Sequence, residues 1–466
     1  MSSFWERGSA VATTLRVNWS YLRRLLSPLY LRHRRAISSL KFSSPAEYRQ
    51  LQLHKLRQVL VHAYEHVPYY RDSFGKAGVN PYRLKSLDHF REYPILTREE
   101  YRINHQAFIA SNVKRSSIYH RYTGGTTGQP LRLPRQLRDD ARELAYTHHI
   151  YDLLGVATNA RKLLLRGPVE DAIAKYVRFE ELRKTMRLST SNMTDSNLEN
   201  YLRRIRAFGP QLVYAVPSSL AILCHYMERQ GLPRLPSVRW VFTQSEMLYE
   251  FQERLIERVF KVPVFTSYGQ AEHVVSAWRC QHSRLYHVLP YYGYTELLDS
   301  RGNPIQAEAQ SGRVIGTGFA GYCAPLIRYD TGDWAIPARR ACSCGTLYSS
   351  WETVEGRRMS LVYTKSGGHA CLGPMLLCHL FAETHRTIRR FGIEQRRPGE
   401  LIVTVVPINP GDGGEATSFL RHALEEEYPG LFDIRFVVED NPPPTKAEKH
   451  LFLRQYVIKE ELTPFF

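Results

Sequence analysis

The sequence is short of acidic residues, of cysteine and of long apolar runs, and each shortage excludes something. Asp plus Glu number 45 against 63 Lys plus Arg, a formal net charge of +18 at pH 7. Such an excess suits phosphate-rich ligands, anionic membrane surfaces or nucleic acid without choosing among them. No apolar run approaches the roughly 20 residues needed to cross a bilayer. Arg16, Arg23 and Arg24 interrupt every N-terminal stretch that would serve as the apolar core of a signal peptide. Secretion is therefore not expected, and the expected location is cytoplasmic. Seven cysteines in such a chain point to thiols or metal ligands rather than disulfides.

What is present is ordinary globular material: 43% hydrophobic and 12% aromatic side chains over 466 residues, more than one hydrophobic core usually supports. The basic excess is uneven. Up to Gln50 there are nine basic residues, Arg7, Arg16, Arg23, Arg24, Arg32, Arg34, Arg35, Lys41 and Arg49, against Glu6 and Glu47. Residues 1–45 read as a helical lead-in with a basic face, interrupted near Pro28, that packs on the body or touches a membrane surface. Tyr48, Leu51, Leu56, Val59, Leu60 and Ala63 then predict a helix that ends at "HVPYYR".

Further on, "RKLLLRG", "QLVYAV", "VRWVFTQ" and "VPVFTSYG" read as short buried strands. Helices lie between them, one opened by Pro217 and one with Leu248, Phe251, Leu255 and Val259 in a stripe. Strand, helix, strand in succession argues for parallel α/β structure. Beyond Leu285 the chain turns β-rich. After Gly356 a smaller unit begins, with "ELIVTVVPI", a helix over Ala416–Glu427 and "DIRFVVE". The expected fold is α/β, with the large domain at 46–356 and a small α+β domain at 357–466. Parallel sheets flanked by helices, plus a β-rich subdomain, would make up the large one.

The strongest local signal is Tyr122–Pro130, "YTGGTTGQP", a loop whose N–H groups and hydroxyls can wrap an oligophosphate. It is not a Walker A loop, because no Gly-Lys-Ser/Thr ending follows. Downstream stand "SYGQAEH" (Ser267–His273), "RYDTGD" (Arg328–Asp333), "EGRR" (Glu355–Arg358) and "PTKAEK" (Pro444–Lys449), each weak alone. Asp333 alone reads as a turn residue and Glu272 as a solvated helix start.

The order and spacing of all five resemble the adenylate-forming superfamily of acyl-CoA synthetases and adenylation domains. Within it the chain is most similar to the phenylacetate–CoA ligase branch, which also holds coenzyme-F-adenylating synthetases and capsular polysaccharide biosynthesis proteins. The likeness runs from about His62 to Leu453.

The resemblance implies roles residue by residue. Thr123, Gly124, Gly125, Thr126, Thr127 and Gly128 would hold the β- and γ-phosphates of ATP. Gln129 stands where lysine is usual, a charge that Arg121 or Arg132 would replace. Tyr268 would pack on adenine, Glu272 bind magnesium, and Asp333 bond the ribose hydroxyls. Arg357 matches the arginine after the hinge glycine, and Lys449 the mobile-domain lysine that reaches the α-phosphate and carboxylate. Two positions depart from the pattern. Met359 and Ser360 replace an acidic pair at the hinge, and Glu448 replaces a glycine beside the lysine.

Cysteines supply a second constellation. Cys342 and Cys344 form "CSCG", and "WRCQHSRLYH" carries Cys280, His282 and His287. A structural zinc wants about four N or S ligands in a tetrahedron. Cys280, Cys342 and Cys344 with one histidine, His287 or else His282, are its candidates, and relatives in this branch carry a similar pairing. Cys224, Cys323, Cys371 and Cys378 sit in apolar contexts and read as packing residues.

The expected function is ATP-dependent activation of a carboxylic acid to an acyl adenylate, with CoA as acceptor and magnesium as cofactor. An amine or hydroxyl acceptor in polysaccharide or natural-product assembly is the enzymatic alternative. A nucleotide-binding scaffold, docked to a membrane or assembly complex by the basic N-terminus, is the non-catalytic one. Nucleic acid is not an expected partner, since no recognisable module accompanies the charge. Tyr146, Tyr214 and Val216 are candidate walls of the acid pocket.

Overall fold

The computed structural model describes residues 25–123, 131–166, 177–190, 193, 195–305, 310–357, 361–366, 369–371, 388–407, 409, 411–427, 429–439 and 453–455. Three helices open it: α1 (Pro28–Ser38), α2 (Pro45–His66) and α3 (Pro68–Ala77). Each begins with proline, whose missing N–H costs nothing in a first helical turn. The Ser44 hydroxyl caps α2 by accepting the Glu47 N–H at 3.4 Å. The expected stripe is buried on α2 except for half-buried Leu51, and Gln52 donates to the Gly293 carbonyl from the buried face. Val67 leaves the helical region because Pro68 follows it, which ends α2. Of the basic lead-in, residues 1–24 lie outside the described residues, and helix α1 carries Arg32, Arg34 and Arg35. It packs through Tyr30 and Ile37 and through an Arg34–Asp152 ion pair of 2.6 Å, leaving Arg32, Arg35 and Leu31 exposed.

Helix α4 (Arg98–Asn104) precedes a hairpin of β1 (Tyr119–Tyr122) and β2 (Arg132–Arg135). The Gly/Thr loop follows β1, and beyond Thr123 it lies outside the described residues up to Leu131. Helix α5 (Leu137–Leu153) leads into β3 (Lys162–Leu165), β4 (Val177–Glu180) and β5 (Thr185–Leu188). Then α6 (Asp195–Phe208), β6 (Leu212–Ala215), α7 (Pro217–Arg229), β7 (Trp240–Thr243), α8 (Glu250–Phe260) and β8 (Val264–Gly269) alternate. Strands β5, β3, β6, β7 and β8 lie side by side and parallel. Leu163, Leu165, Val213 and Val241 meet residues of α6–α8 on one face. Leu212, Phe242 and Phe265 meet α1 and α5 on the other, so these strands read as unbroken apolar runs.

Strands β9 (Ser276–Arg279), β10 (Tyr286–Val288), β11 (Gly293–Leu298), β12 (Gly312–Gly318), β13 (Tyr329–Pro337) and β14 (Ser350–Arg357) follow. They pair antiparallel with one another, and here the expected architecture needs correction. The β-rich segment is not a separate subdomain beside parallel sheets. It continues the parallel strands in one sheet of 12 strands, ordered β11-β12-β13-β14-β10-β9-β8-β7-β6-β3-β5-β4. Strand β8 joins the halves: it runs parallel to β7 through Thr266 and antiparallel to β9 from Ser267 to Gly269. Tyr268 sits at that change of partner.

The C-terminal region holds a hairpin of β15 (Leu361–Tyr363) and β16 (His369–Cys371), then β17 (Ile388–Gln395), β18 (Glu400–Pro407), α9 (Gly413–Glu427), β19 (Asp433–Val438) and β20 (Leu453–Gln455). The last four strands form a second sheet, ordered β19-β18-β17-β20, with its own core of Phe391, Val403, Leu420 and Leu424.

Candidate active site

Three of the distant motifs meet at one arginine. Arg98 Nη2 donates to Thr123 Oγ1 at 3.3 Å, and Nη1 lies 3.5 Å from Glu272 Oε1. The Tyr329 hydroxyl donates to the same Glu272 oxygen at 3.2 Å. Thr123, at the start of the loop, also closes the hairpin, since its Oγ1 accepts the Leu131 N–H at 2.9 Å. Sequence reasoning missed Arg98, and the local signal there marks only a helix start. Thr97 and Glu100 make a capping box that starts α4 and presents Arg98 at its first position. Leu96 fixes that start against β13, with Leu96 N–H to Arg328 C=O at 3.0 Å and Asp330 N–H to Leu96 C=O at 2.9 Å.

Glu272 is buried in a turn after β8, not at a solvated helix start. Glycines let that turn lie on the sheet. A Cβ at Gly318 would come within 2.7 Å of the His273 carbonyl, and one at Gly293 within 2.7 Å of the Thr317 carbonyl. A larger residue at Gly318 would push the Glu272–His273 backbone off β12.

On the other flank of Glu272, the Tyr268 hydroxyl donates to Asp333 Oδ2 at 2.8 Å and accepts from Gln270 Nε2 at 3.0 Å. Burial, then the Asp333 carboxylate, pushes the Tyr268 phenol well above its ordinary pKa, so it stays a donor. The Tyr268 ring meets Trp351 edge-on at 5.7 Å. Asp333 is half-buried on β13, and its Cα partner across the ladder is Arg357 at the end of β14. Its N–H donates to Thr331 Oγ1 at 3.1 Å, which anchors the carboxylate from behind.

Of the expected site residues, Gly124, Gly125, Thr126, Thr127, Gly128 and Lys449 lie outside the described residues, as does the side chain of Arg357. Arg121 and Arg132, the expected substitutes for a lysine at Gln129, both frame the hairpin. Arg121 pairs with Asp140 at 3.0 Å, and Arg132 contacts His120 Nδ1 at 3.3 Å.

A small cavity of about 10 Å³, room for about one water, lies beside Glu272, lined among others by Arg135, Asp139, His273, Gly318 and Gly321. None of the expected pocket walls lines it. Tyr146 is buried and donates to the Tyr291 carbonyl at 2.9 Å, Tyr214 hydrogen-bonds Gln244, and Val216 is buried. Burial, then the guanidiniums of Arg135, Arg121 and Arg142, holds His273 well below the usual imidazole pKa, so it is neutral.

The thiol constellation also assembles. The ligand atoms of Cys280, His287, Cys342 and Cys344 all lie within 4.8 Å of one another. The open choice between histidines falls to His287, while His282 is exposed on the turn after β9. Sulfur held at roughly 2.3 Å by a tetrahedral ion implies sulfur–sulfur edges of about 3.7 Å. Cys342 Sγ to Cys280 Sγ is 3.6 Å, and Cys344 Sγ to His287 Nε2 is 3.4 Å. His287 Nδ1 sits 2.7 Å from Ser350 Oγ, which orients the ring with Nε2 toward the thiols. Burial lowers its pKa to about 4, leaving the neutral form that ligates. Cys224 and Cys323 are buried and unbridged; Cys371 ends β16, and Cys378 lies outside the described residues.

No family model matches the chain. Over 297 residues it is 25% identical to a phenylacetate–coenzyme A ligase of Aromatoleum evansii, covering 62% of this chain and 67% of that protein. Protein CapK of Staphylococcus aureus is 21% identical over 252 residues, covering 53% and 54%. Among solved structures, 2-hydroxyisobutyryl-CoA ligase in its postadenylation state overlays with a TM-score of 0.68 at 19% identity, covering 90% of this chain and 91% of that one. The same ligase with 2-HIB-AMP and CoA in its thioesterification state gives 0.58. With the motif order and the twelve-stranded sheet already in view, these likenesses make the chain distantly homologous to phenylacetate–CoA ligases and to CapK, with the fold of an acyl-CoA ligase.

Proposed function

We propose that the protein joins a carboxylic acid to the α-phosphate of ATP, releases pyrophosphate, and passes the activated acyl group to CoA. The observation that carries this reading is the meeting of Thr123, Glu272 and Tyr329 on Arg98, because it brings three distant motifs to one point. Asp333 offers an ionised acceptor for two ribose hydroxyls, and Tyr268 offers a ring for the base. Glu272 is a buried oxygen donor of the kind that, with substrate phosphates, holds magnesium. The ion would neutralise phosphate charge. The loop 123–128 would wrap the β- and γ-phosphates, and Lys449 would bring a compact cation to the α-phosphate as the C-terminal unit closes. Arg357, paired with Asp333 across the ladder, would stand at the hinge end of β14.

Met359, Ser360 and Glu448 favour a second reading in which an amine or hydroxyl replaces CoA, since the residues about the hinge and the lysine depart from the family pattern. For the thiol cluster we propose a structural zinc, on the tetrahedral edge lengths and the Ser350-oriented His287.

ATP–pyrophosphate exchange across a panel of aryl, fatty, amino and dicarboxylic acids, with and without CoA, tests the reading. Exchange with one class of acid, followed by CoA-dependent AMP release, is the expected result. Binding of ATP with no exchange for any acid would overturn it in favour of a scaffold.

A further inference from the structure

The arginine-rich lead-in carries more apolar surface than the fold uses. Between Glu6 and Glu47 the sequence has no acidic residue and eight Arg or Lys, with Trp5 just before and Trp19, Tyr21 and Leu22 within. Helix α1 divides what it carries between two sides. Tyr30 and Ile37 are buried in a core shared with α5, the Tyr30 hydroxyl lies 2.7 Å from His148 Nδ1, and Arg34 reaches Asp152 at 2.6 Å. The other side faces out. Leu31 is 49% exposed and Leu29 38%, while Leu26, just before the helix, is 71% exposed. Arg32 and Arg35 are exposed beside them, and among the described residues neither pairs with an acid. Spacings of three and four, Leu29 to Arg32, Arg32 to Arg35 and Leu31 to Arg35, put these side chains together.

That mixture selects a partner. A dry protein interface pays to bury guanidiniums that find no acid. A nucleic acid backbone would take the arginines and leave three leucines in water. An anionic bilayer takes both at once, since headgroup phosphates meet the guanidiniums while the leucines enter the acyl boundary about 5–10 Å deep. Arginine suits this boundary, because its stem lies along apolar surface while its head keeps to the phosphates. The field around α1 is already positive. Burial, then Arg142, Arg32 and Lys55, lowers the pKa of His33 to about 4, so its imidazole is neutral. Among the described residues no helix is long and apolar enough to cross a membrane, so such a contact would be peripheral.

We infer that α1 seats the protein on an anionic membrane surface, with Leu26, Leu29 and Leu31 in the acyl boundary and Arg32 and Arg35 on headgroup phosphates. Packing on the body and meeting a membrane are then not alternatives for this segment, because they use opposite sides of one helix. Three leucines and two arginines give reversible attachment, not permanent anchoring. The inference stands apart from the adenylation reading: it needs neither ATP nor an acid substrate, and vesicle binding reads it directly.

The full chain is sedimented with vesicles of phosphatidylcholine alone and with vesicles containing about one-third phosphatidylglycerol, at low and high salt. Wild type should bind the anionic vesicles at least about tenfold more tightly than the neutral ones, and more weakly in high salt. The double variant Arg32→Gln, Arg35→Gln removes two charges worth about fivefold each, so it should bind roughly 30-fold more weakly. The double variant Leu26→Ser, Leu31→Ser keeps every charge and should bind roughly tenfold more weakly. Both should keep the wild-type melting temperature, since the replaced side chains are exposed. Arg234→Gln with Arg239→Gln removes the same charge from exposed positions between α7 and β7, and should bind within about twofold of wild type. No preference for anionic vesicles, or equal loss in this control and in the Arg32, Arg35 variant, would overturn the inference. Full binding by the leucine variant would also overturn it, because the attraction would then be one of charge alone. Tighter binding to a short DNA duplex than to anionic vesicles, lost in the arginine variant and kept in the leucine one, would assign the face to nucleic acid instead.

Discussion

Strands β13 and β14 serve two polar clusters that are held together in different ways. At the Glu272–Asp333 cluster every described acid already has a hydroxyl or guanidinium against it: Tyr329 and Arg98 on Glu272, Tyr268 on Asp333. Such a network is stable as it stands, and a ligand exchanges one set of partners for another. The thiol cluster is partnered mainly by its own sulfurs and by hydroxyls, with no charged group among the described residues against it. Cys280, Cys342 and Cys344 crowd around one imidazole, and Cys344 N–H donates to Cys342 Sγ at 3.4 Å. A hydrogen bond from Ser283 and the Cys344 N–H hold the Cys342 thiol below its ordinary pKa even though burial opposes this. Three sulfurs with a depressed thiol among them make a poor dry core but a good cation site. One cluster is preorganised by protein; the other has the donor set that an ion would complete. Mutations should therefore act on activity in the first and on stability in the second.

The largest effect should come from breaking the second cluster. Purified without chelator, the protein should carry about one zinc per chain, and Cys344→Ser should lose it together with on the order of 4 kcal/mol of stability. Ser350→Ala keeps all four ligands and loses the group orienting His287. It should bind zinc roughly 10- to 100-fold more weakly while folding normally. Metal-free wild type with a melting curve unchanged in Cys344→Ser would remove the distinction between the clusters.

Next in size is Lys449→Ala, which probes the first cluster from outside. Carboxylate and phosphate oxygens converge at the attacked phosphorus, and one well-placed cation lowers such a barrier by about 3 kcal/mol, or a hundredfold in rate. With a cognate acid the variant should bind ATP normally and fail at acyl-adenylate formation. Lys446→Ala is the control with the same charge and no assigned role. If it is the damaged variant instead, the lysine assignment is off by three positions. Smaller again is Thr127→Ala, which removes one hydroxyl from the phosphate loop. ATP should bind roughly tenfold more weakly, with an unchanged melting temperature. Equal exchange rates in variant and wild type would take the loop out of the site.

The sequence made the first cluster legible as motifs, and the second as a Cys/His set in which only the choice of histidine was open. Tyr268, Glu272 and Asp333 lie on or beside strands whose apolar runs announce them, and motif order linked them before any contact was known. Arg98 was not legible in the same way, because its partners Thr123 and Glu272 come from a hairpin and a turn remote in sequence. The capping box at Thr97 marks a helix start and says nothing of what the next side chain faces. The single mixed sheet was also missed. Glycine-rich β segments after Leu285 look like a new unit, yet the glycines at Gly293, Gly316 and Gly318 are where the Glu272 turn presses on β11 and β12. For the thiol cluster, "CSCG" and "WRCQHSRLYH" gave three cysteines and two candidate histidines, and pairing of β10 with both β9 and β14 supplied the choice of His287. Strand pairing of that range is not written in local sequence.

The smallest expected effect is the most informative about the first cluster. Tyr268 offers a ring and a hydroxyl, and two substitutions separate them. Tyr268→Phe keeps the ring against Trp351 and removes the donor from Asp333 Oδ2. If Asp333 exchanges that donor for ribose hydroxyls when ATP binds, the hydroxyl matters mainly without ligand. Its loss should then change the ATP KM by no more than about threefold, because a ligand hydroxyl takes over the acceptor. Tyr268→Leu removes the ring as well, and should raise the ATP KM roughly tenfold or more if the base packs there, by loss of an aromatic contact worth about 1 kcal/mol and the burial beneath it. Asp333→Asn sets the scale, since it leaves the hydroxyl with a neutral partner and removes the charge that would bind ribose. The comparison is read in KM values for ATP at saturating acid, with melting temperatures to show that each variant folds. Equal damage from Phe and Leu would make the hydroxyl, not the ring, the working part of Tyr268. Asp333 would then be a carboxylate that needs its protein partner even with nucleotide bound.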